Sequence, residues 1–362
     1  MVIKGLKGVK AAETAISHID GVNGQLIYRG LDIGELTKNH SFEEVSYLLW
    51  HGEWPDHHQL LQLKKELKKH RELPDYLENL LISLPAEMDF MSVLRTTVSA
   101  AGPTNKDKPS YSDSIRLTAM MPTIIAYRKR HLEGRPFVRP SAELDHVENY
   151  LYMLNGKKPA ESQRKALETY MILTLEHGMN ASTFSARVTV STESDIYSAV
   201  TSAIGTMKGP LHGGAPSEVI AFLDDTAKSG NIEKLIREKI NRGERLMGFG
   251  HRIYKTHDPR ALALKSVLLE IAGKDEWLDL SLDVETAAVR LLQELKPGRA
   301  LYTNVEFYAA AIMKSIQMES DLFTPTFTAS RVVGWTAHVL EQAENNTIFR
   351  PESHYIGKMP VV

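Results

Sequence analysis

Residues 247–273 read MGFGHRIYKTHDPRALALKSVLLEIAG and pass from a glycine loop directly into a helix. Asp258 has the place of an N-cap, Pro259 that of the first helical residue, and Gly273 that of a stop. Arg260 then falls in the first turn, where a cation faces the positive end of the helix dipole and is disfavoured unless an anion sits beside it. Upstream, Gly248 and Gly250 bracket Phe249 and present His251 on a backbone that another group can approach closely. Two readings stay open on these residues alone: a structural turn, or a small-anion site with a histidine beside it.

On either side of this stretch the texture is helical. Ser41 and Glu44 predict a capping box ahead of VSYLLWHG, with Gly52 to Pro55 ending that helix. Further helices are expected at QLLQLKKELKKH, YLENLLISL, MSVLRTTVSAAG, SIRLTAMMPTIIAYRKR and ELDHVENYLYMLNG, then over 164–176 and 195–207. Residues 1 to about 40, with HIDGVNGQLIYRG, suggest a small hairpin or an extended arm that packs on a partner chain. The class is mainly α. Residues 216–325 read as shorter helices with charged connectors, a smaller helical domain between two parts of a larger one, 1–215 and 326–362. Repeats of fixed period are absent, which argues against a solenoid.

Several polar residues stand out along this frame. His177 follows a helix C-terminus, where a charged imidazole would be favoured. His212 lies among Gly209, Gly213 and Gly214 just before a helix, a setting that biases it toward the neutral form. Asn304 is a plausible N-cap that puts Glu306 in the first turn of VEFYAAAIMKSI, where complementarity to the dipole alone would explain a glutamate. Arg331 sits in the apolar run FTASRVVGW, where a solitary buried cation is costly. Arg350 is carried by the C-terminal NNTIFRPES.

Composition removes several classes of function. Among 362 residues, Lys plus Arg number 43 against 45 Asp plus Glu, a net charge of -2, so the totals give no basic face for nucleic acid. With no cysteine there are no disulfides, thiolate metal sites or cysteine nucleophiles. The N-terminus lacks a signal-peptide core and no run approaches a membrane span, so a soluble cytoplasmic protein is expected. HExxH, Walker and EF-hand patterns do not occur, and GFGH is too short for a dinucleotide fingerprint.

The segments SFEEVSYLLWHGEWP, MSVLRTTVSA, EHGMNASTFSARV, KGPLHGGAP, MGFGHRIYKTHDPR, YTNVEFYAA, FTASRVVGW and IFRP together resemble citrate synthases, particularly the short bacterial type close to 2-methylcitrate synthases. The likeness implies a mainly α-helical, two-domain protein working as a homodimer or an assembly of dimers, with a cleft closed by the smaller domain. It implies condensation of acetyl-CoA with oxaloacetate and hydrolysis of the citryl-CoA thioester, or the same reaction with propionyl-CoA. It matches His212 to the group that holds the thioester oxygen, His251 to the acid at the oxaloacetate carbonyl, and Glu306 to the base. His177, Arg260, Arg331 and Arg350 match the oxaloacetate ligands, Arg350 reaching in from the partner subunit. Met247, Gly248, Phe249, Gly250, Arg252 and Lys255 match the segment that holds coenzyme A, and no metal is implied. One departure is chemical: most of the family reads NVDF where this chain reads NVEF. A homologue that binds CoA or an anion without catalysis is the competing class.

Overall fold

The computed structural model describes residues 3–102, 108–213, 215–251, 253–271, 276–299 and 301–360. The fold is mainly α: sixteen α-helices among the described residues, with one small antiparallel sheet. That sheet is the expected hairpin, Ser17–Asp20 paired with Gln25–Tyr28, extended by Leu31–Asp32. The arm does not run on to residue 40, because Asp32 caps a helix over Ile33–Asn39.

Local chemistry sets the other starts. Ser41 and Glu44 close their capping box on Phe42–His51, and Gly52 ends it in a left-handed conformation. Asp195 accepts from the Ser198 N–H at the head of Ile196–Met207. Asn180 caps Ala181–Ser191, a helix beyond those expected, which begins inside HGMNAST. The helix expected over 164–176 runs instead over Glu161–Thr174. The helices between 216 and 325 are not uniformly short, since Glu276–Leu295 has 20 residues.

The core gathers around Phe323–Glu344, with Pro325 in its first turn, where proline costs no hydrogen bond. It packs against Tyr111–Leu132, Ala181–Ser191, Ile196–Met207, Phe42–His51 and Glu161–Thr174. Being buried on nearly every side, it must satisfy its polar side chains internally. Ser330 Oγ donates to Met171 O at 2.6 Å and Thr336 Oγ1 to Val332 O at 2.9 Å. Arg331 is buried on the same helix with fewer partners, and it faces the site.

Candidate active site

Two separated motifs are laid side by side to build the site. The loop 247–251 pairs with 302–304: Gly250 N–H donates to Tyr302 O at 2.7 Å, Asn304 N–H to Gly248 O at 2.9 Å, and Phe249 bridges Thr303. Gly248, with φ +90°, lies so close to Phe307 that an added Cβ would stand 2.8 Å from its ring. This pairing sets the residue before His251 against Asn304, two residues before Glu306, with Asn304 Nδ2 donating to Gly250 O at 3.0 Å.

Asp258 ties the two following helices together. Its Oδ1 accepts from Arg260 N–H at 3.0 Å at the head of Pro259–Ile271, and its Oδ2 accepts from Val305 N–H at 3.1 Å at the head of Val305–Ser315. Asn304 holds the N-cap position of the second helix without capping through its side chain, which donates instead to Gly250 O. The anion required beside Arg260 is Asp258 itself, at 2.9 Å and 1 % exposed. This pair keeps Arg260 charged: burial opposes the charge, but Asp258 raises its pKa above the ordinary arginine value.

The histidines are held neutral. His251 is pulled down to about 4, by burial first and then by Arg260. Its Nδ1 accepts from the N–H groups of Ile253 and Tyr254, both at 3.1 Å, so the ring proton belongs on Nε2. Arg260 Nη2 stands 3.3 Å from that nitrogen. His212 is also pulled down to about 4, by burial and then Arg331. Its Nε2 lies 2.7 Å from Ser182 Oγ, which accepts from Trp335 Nε1–H at 3.0 Å.

His177 is not the helix-end cation that its position suggested. Burial, reinforced by Arg260 and Arg331, holds it well below the ordinary histidine value, and the Tyr254 hydroxyl meets its Nε2 at 3.1 Å. Its ring lies 5.9 Å from that of His251. Arg331 donates from Nε to Thr174 O at 2.6 Å, while its Nη2 is buried without a partner. The Oε2 of Glu306 is likewise buried and unpartnered. Burial lifts the Glu306 pKa above the ordinary value, Arg260 opposing and Asp258 adding to the rise.

His212, Arg260 and Glu306 line one narrow cavity of about 30 Å³ with Tyr170, Thr174 and Phe327. A groove of about 750 Å³ between residues 11–15 and the end of the last helix is far roomier but contains none of these groups. The structure thus brings together six of the expected residues: His177, His212, His251, Arg260, Glu306 and Arg331. Arg350 is exposed on the tail beyond the last helix. Met247 to Gly250 and Lys255 flank His251, whereas Arg252, Gly214 and Gly273 lie outside the described residues. Tyr254, Asp258 and Ser182 were not singled out as site residues, although all three lie inside motifs already quoted. Among the described residues no His, Asp or Glu group could hold a metal ion, and no helix is long and apolar enough to cross a membrane.

Such an arrangement pairs a basic carboxylate with neutral imidazole donors beside buried cations, which suits proton abstraction next to a carbonyl and binding of an anionic co-substrate. The family model for the citrate synthase C-terminal domain matches residues 5–352. The citrate synthase of Haloferax volcanii is 43% identical, the match covering 98% of this chain and 96% of that protein. A 2-methylcitrate synthase of Shewanella oneidensis is 39% identical over 98% of this chain and 95% of its own. A structure of Thermoplasma acidophilum citrate synthase, in ternary complex with carboxymethyl coenzyme A and oxaloacetate, superposes with a TM-score of 0.89 at 30% identity, covering 100% of this chain and 97% of that one. The chain belongs to the citrate synthase family, and it is an acyltransferase that makes citrate.

Proposed function

We propose that Glu306, His212 and His251 divide the condensation between them. Glu306 takes a proton from the acetyl methyl group of acetyl-CoA, and the electron pair moves onto the thioester oxygen, which His212 meets with an N–H. The enol carbon attacks the oxaloacetate carbonyl carbon, and the carbonyl oxygen takes its proton from His251 Nε2. Water then hydrolyses the thioester and releases the CoA thiol. His177, Arg260 and Arg331 hold the oxaloacetate oxygens, and Arg350 joins them from a partner subunit in a homodimer. Met247 to Gly250, Arg252 and Lys255 receive the coenzyme A adenine and phosphates. Residues 216–325 form the smaller unit that closes over the substrates, and the protein works in the cytoplasm.

The observation that carries this reading is the unpartnered Glu306 Oε2 in the cavity that His212 also lines. Burial makes this carboxylate a stronger base than an exposed one. In this reading the Ser182 hydroxyl, which also lies 2.8 Å from Asn180 Oδ1, turns its single proton to His212 Nε2, leaving the ring proton on Nδ1 to meet the thioester oxygen. The glutamate is one carbon longer than the family's usual aspartate, so a retracted rotamer or a withdrawn helix must compensate.

Solvent proton exchange at the acetyl methyl group tests the base. Glu306→Gln preserves the shape and is expected to abolish exchange while oxaloacetate still binds. Exchange at the parental rate would return Glu306 to a helix-start carboxylate. For the shared site, mixing an inactive Arg350→Ala chain with an inactive His251→Ala chain is expected to restore turnover, because a mixed dimer contains one intact site. No recovery after verified subunit exchange would assign Arg350 elsewhere.

Propionyl-CoA is proposed as a second acyl substrate with acetyl-CoA preferred, since one methylene in an apolar pocket changes the specificity constant by only about 1–3 kcal/mol. The 2-methylcitrate synthase relative keeps this alternative in view.

A further inference from the structure

The N-terminal hairpin touches both sides of the site. Its open end is tied to the segment that carries His177: Ser17 Oγ donates to Glu176 Oε1 at 3.0 Å, and the Tyr28 hydroxyl donates to Glu176 O at 2.7 Å. On the strand between, Ile19 packs so close to Gly178 that an added Cβ would stand 3.0 Å from its Cδ1. Its closed end rests on the loop that follows His251. There the Lys255 N–H donates to Gly21 O at 2.7 Å.

Both turn glycines are required by this contact. A Cβ on Gly21 would stand 2.5 Å from the Ile253 carbonyl oxygen. One on Gly24, where φ is +68°, would stand 2.8 Å from the His257 carbonyl oxygen and 2.7 Å from Thr256 Cγ2. The turn is stiffened from within, since Asp20 Oδ1 accepts from the N–H groups of Val22 and Asn23, each at 2.9 Å. The loop it touches is also the loop that orients His251, because Ile253 and Tyr254 supply the N–H groups that fix its Nδ1.

We infer that this hairpin is a strap that sets the interval between His177 and His251, with Gly21 and Gly24 as the points where the His251 loop docks. The strap rests on the condensation reading and adds to it a positioning role for residues that touch no substrate. Sites of this kind must be held to within about 0.5 Å, and neither histidine lies inside a regular element that could hold the other. A hairpin anchored at one end to Glu176 and at the other to Lys255 supplies that constraint.

The test compares the parental protein, Gly21→Ala, and Val22→Ala, the last altering a side chain 75% exposed. Relieving the Gly21→Ala clash displaces the Ile253 backbone, and a misplacement of about 1 Å costs about a hundredfold in rate. Gly21→Ala is expected to lose about ten- to a hundredfold in kcat and to raise the oxaloacetate KM, with a lowered melting temperature but a chain still fully folded at the assay temperature, and with loss of hydrogen-exchange protection at the Lys255 amide. Val22→Ala is expected to match the parent. Parental kcat and KM in Gly21→Ala would overturn the strap, as would an activity loss equal to the loss of folded protein. An unprotected Lys255 amide in the parental protein with oxaloacetate present would also overturn it, and that measurement needs no variant. If the parent releases no thiol from acetyl-CoA and oxaloacetate, the condensation reading fails first. If it does and Gly21→Ala is unaffected, the strap alone fails.

Discussion

Arg128 and Arg331 are both fully buried on long helices packed against each other, Tyr111–Leu132 and Phe323–Glu344, yet they are satisfied differently. The terminal nitrogens of Arg128 donate to the carbonyls of Leu81, Leu84, Pro85, Ala86 and Met88, closing the end of the helix Asp75–Ser83 and the loop beyond it. Only its Nε is left over. Arg331 donates to one carbonyl, that of Thr174, and keeps an unpartnered terminal nitrogen. Burial lowers the pKa of both, and in Arg331 the Glu176 carboxylate works against it. Burial alone therefore does not mark function. What separates the two is whether the protein itself supplies the acceptors.

The carboxylates repeat the contrast, and here the largest effect is expected. Glu43 and Glu306 both have pKa values raised by burial, but Glu43 accepts the His146 N–H at 2.8 Å whereas the Glu306 Oε2 has no donor. Glu306→Gln is expected to lower kcat by about 10²–10⁴-fold, the usual contribution of a general base. Glu43→Gln, which still offers a carbonyl to His146, is expected to turn over at the parental rate. Equal kinetic losses in the two variants would dissolve the distinction between scaffold and site.

A smaller effect separates the arginines. Arg331→Met keeps most of the volume and is expected to weaken oxaloacetate by about 2–5 kcal/mol, read as a raised KM, because a substrate carboxylate loses its cation. Arg128→Met is expected to leave oxaloacetate KM unchanged and to lower stability by about 1–3 kcal/mol, since buried carbonyls lose their donor. Denaturant midpoints and steady-state kinetics on the two proteins check both halves. A reversed pattern would place the anion site at the wrong arginine.

Much of this contrast was legible in the sequence, for a physical reason. Capping and stop signals are local, so Ser41 with Glu44, Gly52 and the Asp258–Pro259 start could be read without partners. The solitary arginine in FTASRVVGW announced itself because an apolar helix offers a cation so little. Contacts across the chain were not legible. That Asp258 caps a second helix 47 residues later depends on how 248–250 lies against 302–304. The neutral state of His177 was misread because the helix-end argument sees only its own dipole, whereas Arg260 and Arg331 converge on it from elsewhere. Arg350 lies on an exposed tail, and the site proposed for it would need a second chain that no single sequence displays.

The smallest effect belongs to the histidines. His146 is 1% exposed, stacks on Phe42 with ring centroids 4.7 Å apart, and leaves both ring nitrogens unpartnered. Burial, helped by Arg71, brings its pKa down from the ordinary 6.5 to about 3. Between those values the unfolded chain binds a proton that the folded chain refuses, so this residue makes stability fall as pH drops from 6.5 toward 3 and contributes no slope above that window. At pH 5 the loss is about 2 kcal/mol. His146→Phe removes the titrating ring and keeps a flat partner for Phe42. It is expected to leave stability near neutral pH close to the parental value and to be more stable than the parent by about 2 kcal/mol at pH 5. His212 and His251 carry depressions of the same sign, but they are present in both proteins and cancel from the comparison. Because the scaffold histidine touches no substrate, kcat at pH 7.5 is expected to stay parental. Urea midpoints at pH 7.5 and pH 5 measure the difference. Identical acid slopes would mean that folded His146 finds a proton partner after all, and the line between scaffold and site histidines would have to be redrawn.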